Sequence, residues 1–336
     1  MTLTIPPAPL PQPPTMMAEE AAHRIARSST PIRTLDNVGA VAAVAVFPDK
    51  RRMATTSSDG ILRLWDLKRG IILNELEGHG EGMGDIAISQ DGQLIASIGH
   101  GGHVNAWHGD TGKPLIQGFI PHPESRVSSM DFSSDGATLV TGSLDGTTQR
   151  WSTATWQPRG RPITYLGGKE GPSVTCVRYS PSAKLLAIAT EDSIQIWNPS
   201  TKQLIADLAQ RAISLVWTLD DTRLLSRTNS TIRQWDSSTW TQVGDWNLDT
   251  SPYQPFLAVN YNGTIAASII GNHVRLWRLS DWRTIAIFQH SPGCITFSVD
   301  GKHILAGSID EISEWAVPEH AWPENASKHQ ATYQVC

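Results

Sequence analysis

The chain has 336 residues, 40% of them hydrophobic, with 27 basic against 32 acidic side chains and a formal net charge of −5. That length suffices for one large all-β domain or two ordinary ones, and the weakly acidic balance supplies no field to attract a polyanion, which argues against nucleic acid as a partner. Cys176, Cys294 and Cys336 are too few and too scattered for a disulfide framework or a metal clip. They read as reduced thiols of a cytoplasmic or nuclear protein, and the longest apolar run, Ala40 to Phe47, is too short to cross a bilayer.

Met1 to Pro14 holds six prolines, including Pro6-x-x-Pro9 and Pro11-x-x-Pro14, and lacks the basic and apolar regions of a secretion signal. Residues 1–30 are therefore expected to form a disordered Pro-rich arm whose spacing suits an SH3 or WW domain. Met16 to Arg27 has the pattern of a short amphipathic helix, marginal by itself at twelve residues. Ile32 to Asp36 follows as a strand. Then Val41 to Phe47, Met53 to Ser58, Ile61 to Trp65 and Ile71 to Leu76 read as four strands, separated by Pro48-Asp49-Lys50, Asp59-Gly60 and Lys68-Arg69-Gly70 turns. A later stretch repeats this order, with Met130 to Phe132, Thr138 to Gly142 and Thr147 to Trp151 around the Asp135-Gly136 and Asp145-Gly146 turns.

Trp65, Trp107, Trp151, Trp197, Trp235, Trp277 and Trp315 are spaced by 42, 44, 46, 38, 42 and 38 residues, an internal repeat of about 40 residues. In the third strands both parities are apolar, as with Leu62 and Leu64 against Ile61 and Trp65, so each sheet needs a neighbour on either face. Radial stacking meets that need, and the expected architecture is all-β, a seven-bladed propeller of four-stranded antiparallel blades over residues 31–318. An irregular tail, 319–336, follows. The seventh copy has no fourth strand of its own after Trp315, which would leave an unpaired edge, so residues 31–36 are expected to pair with Ile312 to Trp315 and close the ring.

Trp65-Asp66, Trp235-Asp236, Gly78-His79 and the Ser-x-Asp-Gly turns at Ser57 to Gly60 and Ser143 to Gly146 resemble the WD40-repeat proteins. The residue after the repeat tryptophan departs from that pattern as His108, Ser152, Asn198, Arg278 and Ala316. The wording of the Thr147 to Trp151 and Thr231 to Asp236 strands is similar to the WD40 arrays of NACHT-type signalling NTPases, although no GxxxxGK[ST] loop is present.

The resemblance implies a hydrogen-bonded tetrad of histidine, serine or threonine, aspartate and tryptophan in each well-formed blade. Its expected members are His122, Ser143, Asp145 and Trp151, then His290, Ser308, Asp310 and Trp315, and, without a histidine, Ser57, Asp59 and Trp65. His79 and Trp107 lack the aspartate, since Gly101 stands in its place. Such a set satisfies a buried indole N–H and performs no reaction, so a hydrolase triad is not expected from Ser143, His122 and Asp145.

His103 and His108 would lie about 17 Å apart along one strand, so with His100 they do not make one metal site. No catalytic residue, metal or cofactor is expected. Trp156, Trp240 and Trp282 each follow a repeat tryptophan by five residues, where the first two copies have Gly70 and Gly112; they either cover the outer strand or present an aromatic rim.

WD40 proteins commonly bind partners on the top rim, which implies a non-catalytic scaffold for a protein or peptide, monomeric within a larger complex and away from membranes. In this chain the rim loops carry Glu81, His100, His103, Glu124, Arg126, Lys169, Glu170, Arg211, Tyr253, Asn272 and Glu311. The alternative is a substrate receptor of a cullin-type ubiquitin ligase. Trp65-Asp66-Leu67-Lys68 is similar to the WDxR signature of such receptors, with lysine in place of arginine.

Overall fold

Strands of three to eight residues dominate the computed structural model, which describes residues 25–80, 82–164, 171–248 and 256–319. The tight turns between them follow from the Asp-Gly pairs. Asp59 Oδ1 accepts the Ile61 amide at 3.1 Å and Asp145 Oδ1 accepts the Thr147 amide at 2.8 Å. Gly60 has φ +79°, and a Cβ there would sit 2.0 Å from the His79 carbonyl, so the turn needs glycine for both conformation and room.

Each meander runs outward from an innermost strand. Met83–Ile88, Leu94–Gly99, Val104–His108 and Pro114–Phe119 pair antiparallel in that order, and so do Val174–Tyr179, Leu186–Thr190, Ile194–Asn198 and Gln203–Leu208. The innermost strands touch in sequence around a ring, from Arg33–Val46 to Met83–Ile88 and onward to Cys294–Phe297, which packs back against Arg33–Val46.

Burial explains the doubly apolar middle strands. Leu62, Leu64 and Ala54 meet Ile86, Ile95 and Trp107 of the next sheet in one seam, and Val104, Ala106 and Ile98 meet Met130, Leu139 and Trp151 in the following one. The core is thus a series of seams between sheets. All the repeat tryptophans are buried in them. Outer strands such as Ile71–Glu77 remain mostly exposed.

Polar seams also stitch the ring. Arg178 donates to Ser129 Oγ and Met130 O of the preceding innermost strand at 3.0 and 3.1 Å, while Asp131 accepts the Tyr179 amide at 2.8 Å. Burial, offset in part by Arg178, pushes the Asp131 carboxyl up to about 6. Fully buried Arg227 reaches Phe256 O, Ser268 Oγ and Ile269 O, and burial lowers its pKa to about 10.

The expectation of seven separate four-stranded blades is corrected by the hydrogen-bonding. Among the described residues there are six sheets: four of four strands, one of five, and one of seven. Five therefore stand as separate blades, and the sixth is a continuous sheet that runs from Cys294–Phe297 to Ile71–Glu77. The cause is the fourteen-residue strand Arg33–Val46. Its first part pairs with Ile309–Ala316, through Arg33 with Glu314 and Leu35 with Ile312, and its second part pairs with Arg52–Ser57. Between them the register shifts, Gly39 adopts φ +76°, and Asp310 Oδ1 accepts the Gly39 amide at 2.7 Å. These contacts keep the link extended where other copies break into a loop. The expected pairing of the segment before the first copy with Ile312 to Trp315 is found in this sheet, held further by an Arg33–Glu314 ion pair at 2.6 Å.

The five-stranded sheet corrects a second expectation. Ala26–Ser28 pairs in parallel with Thr284–Phe288, and the Gln289 amide donates to Ser28 O at 2.9 Å, so the end of the arm forms ladder bonds and does not belong to a helix over Met16–Arg27. Residues 1–24 and the tail beyond 319 lie outside the described residues.

Candidate functional site

The tetrad aspartates and histidines meet their tryptophans through different hydroxyls from those expected. In the third copy, Trp151 Nε1 donates to Thr141 Oγ1 at 2.9 Å and His122 Nε2 lies 2.9 Å from the same oxygen. His122 Nδ1 meets Thr147 Oγ1 at 2.9 Å, and that hydroxyl donates to Asp145 Oδ1 at 2.6 Å. Ser143 accepts the Asp145 amide at 3.3 Å and hydrogen-bonds the Asp145 carboxylate, while Trp151 and His122 are served by Thr141 and Thr147, so Ser143 is corrected from the tetrad to the turn. Register explains this. Leu139 lies opposite Trp151, and Thr141, two residues on, has its side chain on the same face within reach of the indole.

The same offset recurs. Met53 lies opposite Trp65, and Thr55, not Ser57, accepts the Trp65 indole N–H at 2.9 Å. Leu224 lies opposite Trp235, and Ser226 accepts at 2.9 Å. In the second copy His79 Nε2 meets Ser97 Oγ at 2.8 Å. Thr55, Ser97 and Thr141 each precede their tryptophan by ten residues, a sequence signal that points to the correct hydroxyls. Where the first copy lacks histidine, buried Arg63 donates to Ser57 Oγ, Asp59 Oδ2 and Glu75 Oε1 at 2.8, 2.6 and 2.9 Å.

The seventh set does not assemble. Ile304 lies opposite Trp315, so the hydroxyl position falls on Ala306, and neither Trp315 Nε1 nor His290 Nε2 has a hydrogen-bond partner among the described residues. Its shortened turn puts Asp310 at φ +60°, where the carboxylate caps Gly39 instead of facing His290. Ser308 donates to Glu311 at 3.4 Å. Ala306→Ser is expected to supply the missing acceptor and raise stability by about 1 kcal/mol, or roughly 2 °C in Tm. Thermal melts check it: the gain should vanish in a Trp315→Phe background, and a lower Tm would mean that the site has no room for the oxygen.

Burial is the largest influence on the titrating groups of these sets. Burial lowers the His122 pKa despite the nearby Asp145, and burial with the adjacent His103 takes His79 down to about 4. Burial raises the Asp145 carboxyl, but the Thr147 hydroxyl and amide outweigh it and hold the group below its usual range. Ser143 is fully buried, so the Ser-His-Asp grouping exposes no nucleophile. Cys176 and Cys294 are buried free thiols, and burial pushes Cys294 up to about 12.

On the rim, His100, Glu124, Arg126, Arg211 and Asn272 are exposed. His103 is half-buried with its ring 4.7 Å from His79, and half-buried Glu311 accepts from Ser308 and Ser313. Glu81, Lys169, Glu170 and Tyr253 lie outside the described residues. Loops of neighbouring sheets adjoin along this side: a Cβ on Gly102 would lie 2.9 Å from Arg126 Cα, and one on Gly146 would lie 2.8 Å from the Gly171 carbonyl. Arg211 belongs to a cleft whose other members, Glu191, Asp192, Gln210 and Arg233 among them, escaped the sequence reading. Among the described residues, no three His, Cys, Asp or Glu side chains are arranged to hold a metal.

Trp156, Trp240 and Trp282 pack inward. Their rings meet Phe119, Trp217 and Trp246, at centroid distances of 6.5, 6.1 and 3.3 Å. All three occupy the left-handed conformation that Gly70 and Gly112 adopt in the first copies, with φ of 54°, 57° and 55°, so aromatic packing offsets a strained backbone.

The family described as "WD domain, G-beta repeat" matches residues 29–66, 70–108, 113–152 and 160–198. The chain is 29% identical over 143 residues to Telomerase protein component 1 of Rattus norvegicus, covering 42% of this chain and 5% of that protein. It is 27% identical over 176 residues to Target of rapamycin complex subunit wat1 of Schizosaccharomyces pombe, covering 51% and 55% respectively. A guanine nucleotide-binding protein subunit beta of Arabidopsis thaliana shares 31% over 133 residues, 37% of this chain and 35% of that one. The β-propeller domain of Cps50 (Swd1) from Myceliophteria thermophila superposes with a TM-score of 0.78 at 14% identity, covering 87% of this chain and all of that one.

Proposed function

From the premise that the chain is a WD40-repeat protein, we propose that it acts as a non-catalytic scaffold which binds a peptide or protein partner on the rim formed by the loops before the innermost strands and the turns between second and third strands. The observation that carries this reading is the continuity of that rim. Loops from adjacent sheets abut there and present exposed side chains of both signs, Glu124, Arg126 and Arg211, which suits a protein surface better than a polyanion. Two relatives are named as members of assemblies, a target of rapamycin complex and telomerase.

The test is affinity purification of the wild type against Arg126→Glu with Arg211→Glu. The double variant is expected to lose its partner while its Tm stays within a few degrees, because exposed substitutions change stability by about 0.5 kcal/mol or less. Undiminished recovery of the partner would move the binding surface off this rim.

A further inference from the structure

The third copy holds its histidine on both sides: His122 Nε2 lies 2.9 Å from Thr141 Oγ1, and Nδ1 lies 2.9 Å from Thr147 Oγ1 with Asp145 alongside. The second copy keeps only half of this. His79 Nε2 meets Ser97 Oγ at 2.8 Å, but the following turn has Gly101 and His103 in the places of Asp145 and Thr147. The two turns share one form, since Gly102 and Gly146 both have φ +80° and their amides donate to Gly99 O and Ser143 O at 2.9 and 3.1 Å.

The substitutions leave a buried nitrogen without a partner. His79 is 3% exposed, and its Nδ1 has no hydrogen bond among the described residues. Placing the ring proton on Nε2, as donor to Ser97, leaves a lone pair at Nδ1. His103 brings a second imidazole to that side, with ring centroids 4.7 Å apart and planes tilted by 54°. The two nitrogens converge on one place. A Cβ on Gly99 would lie 2.5 Å from His79 Nδ1 and 3.0 Å from His103 Nε2, so glycine where the third copy has Ser143 gives both rings room. Two imidazoles that bind one ion through bonds of about 2.0 to 2.1 Å, at an angle of about 90° to 110°, have centroids about 4.5 to 5.2 Å apart. The observed spacing falls within that range.

We propose that His79 Nδ1 and His103 Nε2 form a two-histidine site for a borderline divalent transition cation, Cu(II) in preference to Zn(II), with water in the remaining positions. His103 is half-buried, so the open side of the site faces the rim. Two protein ligands do not make a structural zinc centre, which takes four, so the ion exchanges freely and the chain folds without it. The site goes beyond the scaffold reading and does not depend on it.

The experiment titrates the full chain with CuCl2 and, separately, with ZnCl2, comparing the wild type with His103→Thr and His100→Ala. The first variant restores the hydroxyl that faces the histidine in the third copy, and the second removes an exposed imidazole from the same turn. With one equivalent of Cu(II), the wild type should give an electron paramagnetic resonance spectrum coupled to two imidazole nitrogens. It should also melt higher, because an ion that binds the folded chain stabilises it. ZnCl2 should act in the same direction with lower affinity. His103→Thr should lose about tenfold or more in Cu(II) affinity, at least what the loss of an outer-shell group costs a metal site. It should also lose the metal-dependent rise in Tm while melting no lower than the wild type in the absence of metal, since the new hydroxyl pairs His79 Nδ1. His100→Ala should keep both responses. Coupling to a single nitrogen, equal losses in the two variants, or a Tm indifferent to metal would overturn the site and leave the two rings bridged by solvent.

Discussion

Deleting residues 1–38 is expected to lower the melting temperature by more than about 5 °C and to promote association, the largest effect of any change considered. The deletion removes the outer strand that Arg33 to Asp36 supplies to Ile309–Ala316, the Arg33–Glu314 ion pair, and the buried Leu35 side chain, which is 6% exposed. Loss of a buried leucine alone costs about 2 to 5 kcal/mol, and the exposed edge offers unpaired N–H and C=O groups to a second molecule. Deleting residues 1–28 should have a smaller effect, about 1 kcal/mol, because the pairing it removes among the described residues is the short parallel one of Ala26–Ser28 with Thr284–Phe288. Differential scanning calorimetry with sedimentation measures both. Equal melting of the two truncated chains, both monomeric, would show that the Arg33–Val46 strand does not lock the ring.

Thr141→Val should destabilise the protein by about 2 to 4 kcal/mol, or roughly 4 to 8 °C, although it changes neither size nor shape. One hydroxyl satisfies two buried groups, the Trp151 indole N–H and His122 Nε2, and both lose their partner at once. Ser143→Ala should cost less, about 1 kcal/mol, since that oxygen bonds the amide and carboxylate of Asp145 within the turn and its loss leaves the Trp151 and His122 nitrogens paired. Denaturant melts of the two variants discriminate between the hydroxyls, and a larger loss at Ser143 would return the tetrad to the arrangement expected from sequence.

The sequence by itself determined what is local or periodic. Seven tryptophans in phase, turns at Asp59-Gly60 and Asp145-Gly146, and middle strands apolar on both faces required stacked antiparallel sheets, because each signal acts within a few residues or one repeat. The pairing of residues 31–36 with Ile312 to Trp315 was legible for the same reason: a missing strand at one end and a spare one at the other. Cross-strand register was not legible. It decides whether Thr141 or Ser143 reaches Trp151, since a two-residue step keeps a side chain on its face but moves it along the strand beyond hydrogen-bonding reach. Tertiary contacts alone decided that Asp310 caps Gly39, joining two expected blades into one seven-stranded sheet, and that Ala26–Ser28 lies parallel to a strand some 260 residues away. They also assembled Glu191, Gln210, Arg211 and Arg233 into one cleft. These side chains come from different turns with no common spacing, and only the packing of adjacent sheets brings them together.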